Sequence, residues 1–163
     1  MKPLSKVDSR WTSHLAYIIG LLATDGNLSR DGRHISFTSK DYELAFLFKT
    51  YLKLNVIIGK KSRGGSSEKI YNVVQFGDVN FYKFLLSIGL TPCKSKTIGV
   101  LKIPRRFFFD FLRGCIDGDG SIGVFRHPES KNPQLRVRLV SASKAFLDWI
   151  KSVTTLYGIN GFF

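Results

Sequence analysis

Residues 18–26 read IIGLLATDG, and residues 112–120 read LRGCIDGDG. Both stretches have glycine at their third and ninth positions and aspartate at their eighth, which places Asp25 and Asp119 at equivalent points 94 residues apart (119 − 25). A sequence repeat of this kind constrains the architecture strongly, because each copy predicts the same supersecondary unit. We therefore expect two structurally related halves.

The similarity continues beyond these two stretches. The sequence TSKDYELAFLFKTYLKLNVIIGK, from Thr38, aligns without gaps with VSASKAFLDWIKSVTTLYGINGF, from Val140, at an offset of 102 residues (141 − 39). The eight additional residues fall around HPESKNP, residues 127–133, a polar stretch with two prolines that is typical of a hairpin loop. Because loops tolerate insertions, the longer loop is consistent with two copies of one fold.

Local patterns predict the elements of the first half. Thr12 or Ser13 can cap a helix that runs through HLAYIIGLLATD and is apolar on nearly all sides, so we expect this helix to be buried. Gly26 is expected to end it in a left-handed turn. After it we predict the strand HISFT, a helix from about Asp41 to Leu54, a hairpin around RGGSSE, the strand IYNVVQF and a helix from about Asn80 to Leu90. The order is αββαββα, and the fold class is α+β.

The second half repeats this order only in part. Pro104 lies near the first position of its opening helix, where proline is tolerated, and QLRVRL alternates as a strand does. After the helix SKAFLDWIKSVTTLYG, two strands and a helix of the repeat are not accounted for. We predict a first repeat with a short linker at residues 11–98 and a C-terminally incomplete second repeat at residues 99–163.

Composition narrows the choice of partner and compartment. There are 25 lysine and arginine residues against 12 aspartate and glutamate residues, and the net charge of +13 favours nucleic acid as partner. Anionic lipid, or no polyanion at all, is the alternative. Two cysteines are too few for a disulfide framework. The longest apolar run, Leu15 to Ala23, is too short to cross a bilayer, and the N-terminal sequence lacks the apolar stretch of a signal peptide. We expect an intracellular protein that is neither secreted nor membrane-bound.

The paired aspartates carry the chemistry. Each lies on the last turn of a helix, where the negative end of the helix dipole disfavours a carboxylate and attracts a cation. If the two helices pack side by side, Gly20 and Gly114 let their backbones approach closely. The two carboxylates and the carbonyl groups of Thr24 and Gly118 then converge, and hard oxygen ligands of this kind suit Mg²⁺. Such a site can activate water and stabilise the leaving oxygen of a phosphodiester.

The two stretches resemble the motif that names the LAGLIDADG homing endonucleases, and two copies in one chain resemble the monomeric branch of that family. The resemblance covers nearly the whole chain, from about Trp11. It implies two pseudo-twofold αββαββα halves that meet along the motif helices. It also implies that Asp25 and Asp119, the eighth residues of the two copies, bind a divalent metal. Ala23 replaces the first aspartate of the motif, which is Asp117 in the second copy, but that position is not a metal ligand of the family.

The resemblance implies further functional residues. Lys94, in GLTPCKSKT, best matches the basic residue that organises water and offsets phosphate charge at the edge of the family's active site. A solvated linker charge is the alternative. Each half of the family fold also lays an antiparallel sheet over the DNA major groove, which is wide enough to admit strands.

Strand alternation then predicts which side chains face the DNA and which face the core. In QLRVRL the core residues are Leu135, Val137 and Leu139. The residues expected to face DNA are Gln134, Arg136 and Arg138 in the second half and His34, Ser36, Thr38 and Gln75 in the first. Basic residues in or near predicted hairpin loops are expected to contact phosphates, namely Arg30, Arg33, Lys60, Lys61, Arg63, Arg126 and Lys131.

The resulting hypothesis is a free-standing, intron-encoded, site-specific endonuclease. It binds double-stranded DNA as a monomer and hydrolyses one phosphodiester on each strand with Mg²⁺, and the resemblance implies short 3′ overhangs. The main alternative is a non-cleaving member of the same family, either a DNA-binding remnant or a maturase of intron RNA. If the second repeat is truly short, a partner chain that completes it is the alternative to a monomer. A ribosome-associated or transcriptional basic protein with a purely structural repeat is the third possibility.

Overall fold

The computed structural model describes residues 5–62, 70–129 and 131–161, and within them the chain forms five α-helices and six strands. The helices are α1 Ser13–Asp25, α2 Tyr42–Tyr51, α3 Val79–Ser87, α4 Phe108–Asp119 and α5 Lys144–Thr155. The strands are β1 Gly26–Leu28, β2 His34–Ser39, β3 Gly59–Ser62, β4 Ile70–Gly77, β5 Gly120–Phe125 and β6 Gln134–Leu139. The predicted α+β class is confirmed. The hairpin predicted around RGGSSE and the side chain of Arg63 lie outside the described residues.

The first repeat forms a four-stranded antiparallel sheet in the order β1-β2-β4-β3. Its residues alternate between two faces, as a pleated strand requires. One face is apolar and buried against the helices, and its members are Leu28, Ile35, Phe37, Val74 and Phe76. The other face is polar and only half-buried along β2. Burial of one face against helices fixes the register of the sheet.

The first motif helix begins and ends as its sequence dictates, with one exception. The hydroxyl of Thr12 accepts a hydrogen bond from the backbone N–H of Leu15 and so caps α1, whose residues 15–23 are buried. The predicted left-handed turn at Gly26 is wrong, because this residue is extended (φ −84°, ψ 153°) and starts β1 directly. Glycine is needed there for space, since a Cβ would lie 2.5 Å from Cα of Leu22.

The second repeat follows the same order through α4, β5, β6 and α5. A single turn of 3₁₀ helix, Arg105–Phe107, leads into α4. Ser143 caps α5 at the position where Asp41 caps α2, and both side chains accept a hydrogen bond from a backbone N–H of the first turn. In the described part of this repeat the sheet has two antiparallel strands, β5 and β6.

The two repeats meet where α1 packs against α4. A Cβ on Gly20 would lie 2.1 Å from the carbonyl oxygen of Phe111, and a Cβ on Gly114 would lie 2.1 Å from that of Tyr17. Both distances are far shorter than a van der Waals contact, so the two backbones approach so closely that only glycine fits. The two glycines are equivalent in the repeat, which gives the helix pair its twofold character.

The second sheet departs from the predicted pattern of burial. Leu135 and Val137, which alternation assigns to the core, are 72% and 54% exposed. Their neighbours on β5, Ile122 and Val124, are 64% and 68% exposed, whereas Leu139 is partly buried against the core. The alternation therefore predicts correctly which side chains share a face but not whether that face is covered.

Candidate active site and nucleic-acid interface

The C-terminal ends of α1 and α4 lie together and bring the two motif aspartates to one end of the helix pair. Their neighbours, Thr24 and Gly118, are in contact, since a Cβ on Gly118 would lie 2.0 Å from Oγ1 of Thr24. The Thr24 hydroxyl turns back to donate to the carbonyl of Leu21 at 3.0 Å. Asp25 is half-buried and Asp119 is exposed. Because each aspartate directly follows a residue of this contact, Asp25 and Asp119 lie at the same end of the helix pair.

Lys94 lies beneath the same end of the helix pair. It starts a 3₁₀ turn, Lys94–Lys96, and is only 5% exposed. Its Nζ donates hydrogen bonds to the carbonyl oxygens of Thr24, at 3.4 Å, and Gly26, at 2.5 Å. Burial lowers the pKa of Lys94 to about 8, and the negative charges of Asp25 and Asp119 oppose that shift. One buried ammonium therefore interacts electrostatically with both motif carboxylates.

The oxygen atoms at this helix end suit a magnesium ion only if other oxygen ligands complete its coordination shell. Partial burial raises the pKa of Asp119, an effect that the charge of Lys94 opposes, so an added cation would favour its ionised form. Among the described residues no group of three or more His, Cys, Asp and Glu side chains is placed to hold a metal. Two carboxylates and a carbonyl would thus need water and phosphate oxygens to complete the shell, as is common for Mg²⁺. The Thr24 carbonyl, an expected ligand, already accepts from Lys94.

A cleft of about 390 Å³ joins the end of α1 to the outer face of the first sheet. It is lined by Thr24, Asp25, Gly26, Asn27, Thr38, Lys61, Tyr71, Lys94 and Ser95. Asn27, Tyr71 and Ser95 were not among the predicted site residues. Alternation could have identified two of them, because Asn27 precedes the buried Leu28, and Tyr71 lies two and four residues before Val73 and Gln75 on the outer face.

The outer face of the first sheet carries the side chains that the sequence assigns to base contacts. His34, Ser36 and Thr38 are half-buried on this face, and Gln75 lies opposite Ser36 in the register. Lys61 lies opposite Tyr71 and so shares the face. Lys60 pairs with Asn72 and belongs to the opposite face, and both lysines lie in strand β3 and not in a loop. A stripe of polar side chains, with Lys61 at one side, therefore leads from the sheet to the cleft that Asp25 lines.

The remaining loop residues lie at the tips of the two sheets. Arg30 and Arg33 are in the β1–β2 connection, where Arg30 donates a weak hydrogen bond to Sγ of Cys93 at 3.5 Å. Arg126 and Lys131 are in the longer β5–β6 connection and are exposed. Four cationic residues therefore lie at the exposed tips of the two sheets, where phosphates of a bound duplex are commonly contacted.

The second sheet presents a more cationic face. Gln134, Arg136 and Arg138 alternate along β6 and are exposed on the side opposite the apolar residues. The guanidinium carbon of Arg136 lies 3.6 Å from the ring centroid of Phe125, so the ring holds this side chain along the strand. Where the first sheet offers His34 and Ser36, the second offers two guanidinium groups.

Sequence comparison agrees with this architecture. The family model described as a LAGLIDADG-like domain matches residues 12–89 and 107–161, more than half of the chain. The chain belongs to the LAGLIDADG family. Domains of this family bind DNA, which agrees with the net charge of +13 and with the two polar sheet faces.

A solved structure has the same fold over nearly the whole chain. It is described as the crystal structure of full-length DUF199/WhiA from Thermatoga maritima, and it matches with a TM-score of 0.54 at 16% sequence identity. The match covers 91% of this chain and 45% of that one, so the chain spans less than half the length of this relative. At this identity the likeness concerns the fold alone. No curated protein matches the chain by sequence. None of the helices in the described ranges is both long and apolar enough to cross a membrane.

The sixth motif position, which is Ala23 in the first copy and Asp117 in the second, lies outside the cleft. Asp117 accepts a 2.7 Å hydrogen bond from the hydroxyl of Tyr17 across the helix interface, whereas Ala23, its counterpart, is buried. Burial raises the pKa of Tyr17, and the hydrogen bond to Asp117 raises it further, so the phenol keeps its proton. Asp117 thus joins the two repeats and does not line the cleft beside Asp25.

Proposed function

We propose that this LAGLIDADG protein is a site-specific endonuclease that hydrolyses one phosphodiester on each strand of duplex DNA with the help of Mg²⁺. The observation that carries the proposal is the burial of the Lys94 ammonium where it interacts with both Asp25 and Asp119. The site therefore combines two carboxylates with a buried cation at one end of the helix pair. A phosphoryl-transfer site needs both kinds of charge.

The proposed division of labour follows from these positions. Asp25 and Asp119 would hold the metal, and the chemistry supplied by Mg²⁺ is activation of water and stabilisation of the leaving 3′ oxygen. Lys94 would offset negative charge that accumulates on the scissile phosphate, because its ammonium lies beside the same helix ends. The cleft between Asp25 and Lys61 would admit the phosphate backbone.

The two sheets would supply specificity and orientation. Neutral groups on the first sheet and guanidinium groups on the second can read donors and acceptors in the major groove. Arginine and lysine at the sheet tips would bind phosphates, so affinity should fall steeply with salt, by a slope of ~0.9 per phosphate contact on a log–log plot. A nearly flat response to salt would contradict this docking mode.

The decisive test is DNA cleavage by the purified chain on a duplex selected by binding from a random library. With Mg²⁺ the wild type should cut both strands, whereas Asp25→Asn and Asp119→Asn should reduce the rate at least ~10²-fold while leaving affinity nearly unchanged. Asp148→Asn is the matched control, because Asp148 is an exposed carboxylate on α5 that pairs only with Lys144 in the described structure. Full activity in Asp119→Asn would contradict the proposal.

A non-cleaving DNA-binding function is the second candidate, and one observation favours it. The Thr24 carbonyl accepts from Lys94, which gives the site a cation of its own. This candidate would give a footprint on the selected duplex and no cutting at any Mg²⁺ concentration. It also requires that Asp25→Asn and Asp119→Asn alter neither outcome.

A further inference from the structure

His34 and Asp31 form a hydrogen-bonded pair at the edge of the outer face of the first sheet. Asp31 lies in the β1–β2 connection, and its Oδ1 accepts from the backbone N–H groups of Arg33 and His34, both at 3.1 Å. Its other oxygen, Oδ2, forms a short hydrogen bond with Nδ1 of the His34 ring. Two backbone bonds therefore fix the carboxylate, and the carboxylate fixes the ring.

The carboxylate determines which ring nitrogen carries the proton. The hydrogen bonds from His34 lower the pKa of Asp31 well below its ordinary value, so the group is ionised and can only accept. The hydrogen on this bond must therefore belong to Nδ1. In neutral His34 the second nitrogen, Nε2, is then an acceptor, and in protonated His34 it is a donor.

Nε2 lies on the open side of the ring. His34 pairs with Gly77 in the register, and a Cβ on Gly77 would be 3.6 Å from Nε2, so the missing side chain leaves this edge uncovered. Within the described ranges no hydrogen bond reaches Nε2, and the side chain is 35% exposed. His34 lies on the same face of the sheet as Ser36 and Thr38.

Few other charges face this ring. In the same connection the Nε of Arg33 lies 3.9 Å from Oδ2 of Asp31 and is well exposed. On β4 the residue opposite is Gly77, which carries no charge. From α3 the Tyr82 hydroxyl donates to the carbonyl of Ser29 and not to the ring. The charged groups found beside the His34 ring in the described residues are thus Asp31 and Arg33.

We propose that His34 reads one base in the major groove in a pH-dependent way and that Asp31 is the residue that positions it. Neutral His34 accepts through Nε2 from the amino group of adenine or cytosine, and protonated His34 donates to N7 or O6 of guanine. This inference rests on the DNA-binding part of the proposed function and is independent of cleavage.

The test is selection of bound duplexes from a randomised library with the full chain, without Mg²⁺, at pH 5.5 and at pH 8. One position of the selected site should change from adenine or cytosine at pH 8 to guanine at pH 5.5, with a preference of about tenfold in each case. His34→Gln should bind the same site with no change at that position between the two pH values. Asp31→Asn should weaken the preference at that position alone, because the ring is no longer held in one tautomer.

Ser36→Ala is the matched control, since Ser36 lies two residues along the same face but does not titrate. It should alter a neighbouring position equally at both pH values. A selected site that is identical at pH 5.5 and pH 8 in the wild type would overturn the inference and leave DNA binding intact. The absence of any enriched sequence would overturn it together with the proposed function. An enriched, pH-dependent site that is not cut when Mg²⁺ is added afterwards would contradict only the endonuclease.

Discussion

The two repeats use the same alternation of side chains but differ in what covers their sheets. Leu28 and its counterpart Ile122 are 2% and 64% exposed, and Ile35 and its counterpart Val137 are 0% and 54% exposed. In the first repeat β4 pairs with β2, and α3 buries Phe81 and other residues in the shared core. In the described part of the second repeat no such strand and helix follow α5. In the first repeat the additional strand and helix thus accompany a closed core, to which α1 and α2 also contribute.

The contact that joins the repeats does not share this difference, because Gly20 and Gly114 are equally close to the opposite backbone. A side chain added at either glycine should therefore destabilise both repeats together. We expect Gly114→Val to have the largest effect, more than ~4 kcal/mol, because the added methyl groups meet a carbonyl oxygen that cannot rotate away. Equilibrium urea denaturation followed by circular dichroism measures the loss.

A glycine on the open side of the second sheet provides the control. A Cβ on Gly123 would meet no atom within 4 Å, so Gly123→Val should change the free energy of unfolding by no more than ~0.5 kcal/mol. If instead Gly114→Val stabilised the chain by ~1 kcal/mol, as removal of a helical glycine does in open space, the close approach of α1 and α4 would be wrong.

The contrast in burial between the sheets can be measured directly at equivalent residues. Leu28→Ala removes three carbons from a closed core and should cost roughly 3 kcal/mol. Ile122→Ala removes the same number of carbons from a largely exposed side chain and should cost ~0.5 kcal/mol or less. Denaturation curves of the two variants give both values. Equal losses would mean that the second sheet is covered in solution.

Lys94 distinguishes the repeats electrostatically, and its effect depends on pH. Its folded-state pKa of about 8 is below the ordinary value of 10.5, so between these values the unfolded chain binds a proton that the folded chain has released. The free energy of unfolding should therefore rise with pH across this window, by up to about 3 kcal/mol, and be flat with respect to this group below pH 8. Lys94→Met should abolish the rise.

Lys96 lies in the same turn and is exposed, so Lys96→Met should keep the wild-type dependence on pH. Denaturation at half-unit steps between pH 7 and pH 10.5 compares the three proteins. A rise that persists in Lys94→Met would assign the proton to another group. A wild-type stability that does not depend on Lys94 anywhere in this window would show that the ammonium is not desolvated in the folded chain.

The sequence predicts the fold where local patterns decide it. The repeat, the α+β class, the cap at Thr12 and the sharing of a face by Leu135 and Val137 all follow from short-range patterns. Burial of that face does not follow, because it depends on which elements pack against it. The extended backbone of Gly26 was missed for a similar reason, since the strand that pairs with it begins eight residues later, at His34.

Much of the candidate site could also be located from the motif. Asp25 and Asp119 occupy matching positions, and the close glycines make their helices neighbours. The carbonyl partners of Lys94 could not be inferred, because its distance from Thr24 in the chain carries no spatial information. The hydrogen bond between Tyr17 and Asp117 could not be inferred from the repeat either, because it joins positions that differ between the two copies.

The hydrogen bond between Tyr17 and Asp117 should have the smallest of the expected effects on the free energy of unfolding. The Tyr17 hydroxyl donates to Asp117 at 2.7 Å, and the guanidinium carbon of Arg113 lies 4.5 Å from the centroid of the tyrosine ring. The equivalent positions hold Phe111 and Ala23, so the bond forms at only one of two related points of the interface. We expect Tyr17→Phe and Asp117→Ala each to lower the free energy of unfolding by ~1 kcal/mol.

The double variant should lose about as much as either single variant, because both changes remove one and the same hydrogen bond. A double-mutant cycle by urea denaturation then gives a coupling energy of ~1 kcal/mol. Strictly additive losses would mean that the two groups do not interact in solution. A positive coupling has a structural consequence, because two first repeats placed together would leave the Tyr17 hydroxyl facing Ala23 without an acceptor. The hydrogen bond therefore favours pairing of the first motif helix with the second over pairing with another copy of itself.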